Sequence, residues 1–413
     1  MTAADFPPVH EARAALGRLL FYDKILSGNR NISCGTCHHH DHAGGDGLSL
    51  GIGEGGAGVA QDRSAGEGRA RIEKRVPRNA PALFNLGARE VRVLFHDGRL
   101  SRSDRYGVGF DTPAEERLPQ GLSSPLAAQA LFPLTSEVEM AGSPEENEVA
   151  VAAYDRIDRV WPILAKRVRT IPAYGARLVD AFDDLDHPSD ATIVHVAEAL
   201  AAFIDAEWRS YDSRYDLWLA GEARLSSAEH RGRRLFFGKA GCAACHGSKF
   251  FTDQAFHALA LPPFGPGRTR RFDPYARDLG RMGQTDLLAD AYRFRTPALR
   301  NVALTAPYGH NGAYPTLEGI VRHHLDPMRA LEDWRREAAA LPEAPWLAAR
   351  DFVAFEDRRE MQRLTRRVDV RPLALSDGEI EDLVAFLGAL TGGDSVKGRL
   401  GRPAAVPSGL PVD

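Results

Sequence analysis

The sequence predicts a mainly α-helical chain made of two similar modules packed against each other, and three observations carry that expectation. The pentapeptide pattern Cys-x-x-Cys-His occurs twice, at Cys34-Gly35-Thr36-Cys37-His38 and at Cys242-Ala243-Ala244-Cys245-His246. A similar apolar run precedes each copy, Gly17-Arg18-Leu19-Leu20-Phe21 before the first and Gly232-Arg233-Arg234-Leu235-Phe236 before the second, which marks an internal duplication. Capping boxes open further helices at Ser226-Ser227-Ala228-Glu229 and Ser376-Asp377-Gly378-Glu379, where serine and glutamate satisfy each other's free backbone donors.

Taken in order, a first helix leads into a loop bearing Cys34 and Cys37. Glycine-rich Gly44 to Gly58 cannot form regular structure cheaply. It reads as a long loop continuing toward Arg75, a mobile surface loop in preference to a substrate-gating one. Val194, Ala197, Leu200, Phe203, Trp208, Tyr215 and Trp218 fall in a stretch, Thr192 to Glu222, with few breakers. One long helix or two are expected there, with most of the aromatics in the core. The second capping box is followed by Ile380, Leu383, Val384, Leu387 and Leu390 at helical spacing, the closing helix of the second module. Residues 326–372 hold several helical patches and many charges. The expected domains are 1–160, 161–393 and a tail at 394–413.

The two pentapeptides consume all 4 cysteines. Two thiols can add to the two vinyl groups of one porphyrin while the adjacent histidine coordinates its iron, so the pattern predicts two covalent haem c groups on cytochrome c-like modules. A four-cysteine zinc site would leave both trailing histidines unexplained. The 413-residue chain is 44% hydrophobic with a formal charge of -4, which fits an ordinary globular, soluble protein and gives no reason to expect nucleic acid or a membrane span. Covalent haem c is attached outside the bacterial cytoplasm, so a periplasmic protein is expected. Met1-Thr2-Ala3-Ala4 shows no apolar signal region, and the chain therefore reads as a processed or recombinant form.

Around these motifs the chain resembles the bacterial diheme cytochrome c peroxidase family, which includes MauG-type enzymes. The matching segments are Arg78-Asn79-Ala80-Pro81-Ala82-Leu83-Phe84-Asn85, Phe95-His96-Asp97-Gly98-Arg99, Glu137-Val138-Glu139-Met140 and Thr296-Pro297-Ala298-Leu299-Arg300-Asn301, running on through His310-Asn311-Gly312. The resemblance implies that peroxide reacts at the amino-terminal haem, with Gln129 and Glu139 in its distal pocket. A carboxylate poised over an open iron can move a proton from the near to the leaving oxygen of peroxide, so Glu139 is the expected general acid/base. Glu137 is its nearby decoy. Some members block this haem with a histidine from the region before the Asn-Ala-Pro motif. Here no histidine occurs between His42 and His96. His39, His40 and His42 follow the proximal ligand too closely to cross the haem, so an open first haem is expected.

For the second haem, His246 supplies one ligand. The resemblance places the other in the helix that starts at Thr316-Leu317-Glu318, as methionine in peroxidase members and tyrosine in MauG-type ones; this chain has His324. Helical geometry supports the choice, because Leu317, Ile320, Val321 and His324 share one face while His323 points roughly 100° away. Met328 is the outsider. Replacing methionine by imidazole makes the second haem a poorer electron acceptor. His96 stands where the family carries a tryptophan between the haems, which excludes a tryptophan-centred hop at that position and leaves structural packing and a redox role both open. The family also holds a calcium ion, for which the resemblance implies the Asn79 side chain and carbonyls near Arg295 and Pro297.

The function expected is a periplasmic diheme peroxidase that reduces hydrogen peroxide with electrons from a small donor protein. A MauG-like oxidase that uses peroxide to modify a side chain of a protein partner is the alternative, and a non-catalytic diheme electron carrier is the third.

Overall fold

A computed structural model describes residues 1–68, 71–268, 276–394 and 398–413. Two helix crossings form its centre. In the first module helix α1 (Glu11–Tyr22) crosses α2 (Ile193–Glu207); in the second, α3 (Ser227–Phe237) crosses α5 (Asp377–Gly388), with α4 (Leu317–Leu325) packed beside α5. The duplication is visible at atomic detail. A methyl group added to Gly17 would lie 1.8 Å from the Ala199 carbonyl oxygen and 2.9 Å from Phe203 Cβ, and one added to Gly232 would lie 1.8 Å from the Asp382 oxygen and 2.9 Å from Phe386 Cβ. Glycine at these two positions lets the helix backbones touch.

Both expected capping boxes form, with Ser226 Oγ accepting from Glu229 N and Ser376 Oγ from Glu379 N. The stretch from Thr192 divides into α2, capped by Thr192, and a short helix Arg214–Leu219. Phe203, Trp208 and Tyr215 are buried there. A small antiparallel sheet, β1 (Val93–Leu94), β2 (Leu100–Arg102) and β3 (Phe110–Asp111), projects the turn 95–99 toward the second module. A two-stranded pair, β4 (Phe256–His257) and β5 (Phe294–Arg295), faces it. No described helix is long and apolar enough to cross a membrane.

Two expectations change. The segment 44–58 is no mobile surface loop: Leu50 and Ile52 are 0% exposed and Leu48 is buried beside them. These apolar side chains alternate with glycine and serine, so the segment enters as a narrow plug between the modules. Ser49 Oγ donates to the Gly312 carbonyl at 2.7 Å, and Ser49 N to that of Ala340 at 2.9 Å. Residues 69–70 of its expected continuation lie outside the described residues. The first hydrophobic core, moreover, does not break at residue 160, since it runs from Leu16 through Trp161 and Phe203 to Trp208 and takes in Val406. The segment after residue 398 straps this module, with Arg399 N and Leu400 N donating to buried Glu207 and Ser408 Oγ to Asp23.

The irregular region 326–372 forms helices Pro327–Asp333, Pro345–Asp351, Val353–Glu356 and Arg358–Thr365. It covers the glycine-rich plug, through Trp346 Nε1 donating to the Ile72 carbonyl and a buried Arg75–Asp351 pair at 3.1 Å.

Helix propensity alone favours alanine over glycine by about 1 kcal/mol. Because the Gly17 crossing leaves no room for a methyl group, Gly17→Ala is expected to destabilise the protein by a net ~2 kcal/mol. Denaturant unfolding reads this directly, and a stabilised variant would show that the helices separate freely.

Candidate functional site

The second Cys-x-x-Cys-His segment lies on the wall of a cavity of about 580 Å³, lined by Cys242, Cys245, His246 and, from helix α4, Leu317, Ile320, Val321 and His324. His246 Nδ1 is 2.7 Å from the Phe251 carbonyl oxygen, and His324 Nδ1 is 2.8 Å from that of Ile320. A carbonyl only accepts, so each Nδ1 carries the proton and each Nε2 keeps its lone pair. Burial pushes His246 down to about 4 and also lowers His324, which holds both rings neutral as metal ligation requires. His323 is spent elsewhere: its two nitrogens meet Tyr314 Oη and the Leu259 carbonyl, each at 2.7 Å. Met328 is exposed on the next helix. An apolar cavity with two thiols on one wall and two available imidazoles fits a covalently attached haem.

The first segment repeats the same device. His38 Nδ1 donates to the Gly44 carbonyl at 2.8 Å, and burial lowers the proton affinity of the ring. Cys34 and Cys37 pack on the first core, and burial pushes both thiols up to about 12. Of the neighbouring histidines, His39 is buried, with Nδ1 accepting from Asp41 N at 3.3 Å and no partner at Nε2 among the described residues. His40 bridges Tyr22 Oη at 2.6 Å and Glu207 at 2.7 Å, and His42 is exposed.

Glu139 sits on a π-helical turn, Glu137–Ala141, a rare conformation often found at functional sites. Glycines clamp the turn from two sides. A methyl group on Gly53 would fall 1.9 Å from the Val138 carbonyl oxygen, and one on Gly28 would fall 1.9 Å from that of Ala141. Glu139 is half-buried and near enough to Cys37 and Arg99 to perturb both electrostatically, whereas Glu137 is exposed. Gln129, also half-buried, ends the short helix Pro125–Gln129 that precedes the turn.

His96 lies at the junction of the modules. Its Nε2 is 3.1 Å from the Asn79 carbonyl oxygen, and its own carbonyl accepts from Arg295 N at 2.7 Å. Burial and the neighbouring Arg78 push the imidazole down to about 4, so Nε2 donates and the ring stays neutral. Asn79, His96, Arg295 and Pro297 line the same cavity as His246 and His324.

A profile of the family described as di-haem cytochrome c peroxidase matches residues 11–224. The chain is 30% identical to methylamine utilization protein MauG of Paracoccus denitrificans, over 94% of this chain and 91% of that protein. It is 28% identical to cytochrome c551 peroxidase of Pseudomonas aeruginosa, over 76% of this chain and 72% of that protein. Among solved structures, a MauG-like protein associated with microbial copper homeostasis superposes with a TM-score of 0.59 at 28% identity, covering 96% of this chain and 93% of that one.

Sequence reasoning missed the charges that join the modules. Arg78 forms two 2.7 Å hydrogen bonds to Asp278 and an ion pair with Asp97 at 2.8 Å, while Arg99 pairs with Asp97 at 3.2 Å and stacks on Phe95. The flanking arginines hold the Asp97 carboxyl far below the usual carboxylate range despite its burial. Asp46 was missed too; its carboxyl is buried in the plug near Cys37, and burial pushes it up to about 6. An aspartate set among glycines was the available signal for Asp46, but Asp278 is paired only by the fold. Removing one member of a buried ion cluster leaves uncompensated charge. Asp97→Asn is therefore expected to lower the unfolding free energy by about 3 kcal/mol, seen as a reduced denaturant midpoint at equal haem content.

Proposed function

The chain belongs to the di-haem cytochrome c peroxidase family, and from that premise we propose a periplasmic enzyme that reduces hydrogen peroxide at an open amino-terminal haem, fed by a closed carboxy-terminal one. The observation that carries this reading is the asymmetry of the two sites. His246 faces a second available imidazole, His324, across one cavity, whereas the side chain supplied near the first site is the Glu139 carboxylate. Family membership brings two haem c groups. Cys34, Cys37 and His38 would hold the first, and Cys242, Cys245 and His246, with His324, would hold the second. A haem held there would supply the redox chemistry of peroxide reduction.

The chain's own residues then do the proton work. Gln129 orients peroxide by hydrogen bonding. Glu139 takes the proton from the near oxygen and returns it to the leaving oxygen, which departs as water. Arg99 lies close enough to sense the charge of this carboxylate. Clamping by Gly28 and Gly53 keeps the π-turn from drifting, because a proton shuttle works only within hydrogen-bond reach.

Asn79 is the side-chain ligand we propose for a calcium ion, with the carbonyls of Arg295 and Pro297. Its Nδ2 donates to the Leu48 carbonyl at 2.7 Å, which leaves Oδ1 as the acceptor a hard cation needs. His96 braces these ligands by tying Asn79 to Arg295.

Electrons come from a small periplasmic donor protein in this reading. A second reading, a MauG-like oxidase that draws them from a side chain of a protein partner, is favoured by His324 itself: a second imidazole stabilises the oxidised second haem more than methionine does. The electron carrier remains the non-catalytic alternative and requires two closed irons.

Glu139→Gln keeps the shape of the pocket and removes the shuttle, so turnover at saturating donor is expected to fall about a hundredfold or more with haem content unchanged. Parent-like turnover would remove Glu139 from the mechanism. Electron paramagnetic resonance checks the iron sites separately. The resting ferric protein is expected to show one high-spin and one low-spin haem, and His324→Ala to abolish the low-spin signal. Two low-spin haems in the parent would instead support the carrier.

A further inference from the structure

The geometry points to Trp208 as the electron relay between the two haem sites, a role that rests on the peroxidase reading and replaces the indole missing at His96. Of the 5 tryptophans, this one touches the machinery on both sides. Toward the first haem, its Nε1 would lie 3.1 Å from a methyl group placed on Gly44. Gly44 is the residue whose carbonyl accepts the His38 Nδ1 proton at 2.8 Å. The indole thus lies beside the backbone of the residue whose carbonyl holds the proximal imidazole.

Toward the second haem the connection runs through the backbone of the same residue. The Trp208 carbonyl accepts from Asn85 N at 3.0 Å, and Asn85 lines the cavity that holds Cys242, His246 and His324. Reciprocal bonds fix this contact, with Ser210 N donating to Asn85 Oδ1 at 2.7 Å and Asn85 Nδ2 donating to the Ser210 carbonyl at 3.1 Å. Asn85 holds a left-handed backbone, φ 62°, a conformation asparagine tolerates better than most residues. The chain therefore maintains a constrained turn where Trp208 meets the cavity wall.

The surroundings suit a transient positive charge. Trp208 is 3% exposed, which keeps water from quenching an oxidised ring, and it packs against Phe21 at 5.4 Å and His40 at 5.6 Å between ring centroids. Imidazole at position 96 is much harder to oxidise than indole, so His96 cannot carry the same step. The balance is one electron at a time: peroxide is the oxidant, Trp208 gives one electron toward the haem at His38 and keeps its N–H proton, and the haem at His246 returns one electron to the ring. No bond forms or breaks in the protein.

The experiment follows oxidation of the second haem after one-electron-reduced protein is mixed with peroxide in a stopped-flow spectrometer. Trp208→Phe should slow that oxidation at least tenfold, with both resting resonance signals unchanged. Trp208→Tyr, which keeps an oxidisable ring, should stay within about threefold of the parent. Equal rates in the parent and Trp208→Phe would overturn the relay. So would a Trp208→Tyr rate as low as that of Trp208→Phe, since lost packing would then explain both. A parent whose second haem is not oxidised at all would instead overturn the peroxidase reading.

Discussion

Arg78 is the group on which the arrangement of the two modules depends. Its guanidinium spans Asp97, on the turn between β1 and β2 of the first module, and Asp278 of the second. All three are buried or nearly so, and the desolvation of one arginine is offset only if both carboxylates stay in place. That condition fixes the turn 95–99 against the second module. Arg281 reinforces it by donating to the carbonyls of Asp97 and Gly98. Once the turn is held, His96 falls between Asn79 and Arg295, and the cavity wall shared by the modules is complete.

The same constraint acts on the first site from the other side. Arg99 leaves the held turn to stack on Phe95 and lies close enough to Glu139 for the carboxylate to raise its proton affinity, against burial and Arg268, which push the guanidinium down to about 9. Gly53, in the plug, meets the backbone of the Glu139 turn. The plug in turn is anchored to the second module through Ser49 and Gly312. The turn that carries Glu139 is thus positioned partly by contacts made with the second module.

The local placement of single motifs was largely legible in the sequence. His324 is separable from His323 by helical phase alone, and the structure gives each the surroundings that phase implies. The two capping boxes form as their residues require. What could not be read was anything decided by partners distant in sequence. Leu48, Leu50 and Ile52 alternate like a buried strand, yet the glycines around them read as solvent-facing disorder, because the cover over them comes from residues near 340 and 346. The first core runs past residue 160 for a similar reason: α2, nearly two hundred residues after α1, supplies the backbone against which Gly17 packs. Asp278 carries no local sign that Arg78 awaits it.

Duplication explains why the two halves differ where they do. The crossing geometry at Gly17 and Gly232 is the same, so each module presents its Cys-x-x-Cys-His segment from an equivalent scaffold, with Nδ1 of the following histidine held by a backbone carbonyl in both. The elements that lie near each segment differ. In the second module helix α4 brings an imidazole, a ligand of fixed shape on a rigid element. Near the first, a glycine-clamped π-turn carries the carboxylate of Glu139. On the proposed reading, one scaffold serves two unlike sites through that difference in the neighbouring element, together with the proposed contact between them. Trp208, at the end of α2, occupies the place where such a contact costs least, because the helix that closes the first core already ends at the wall of the second cavity.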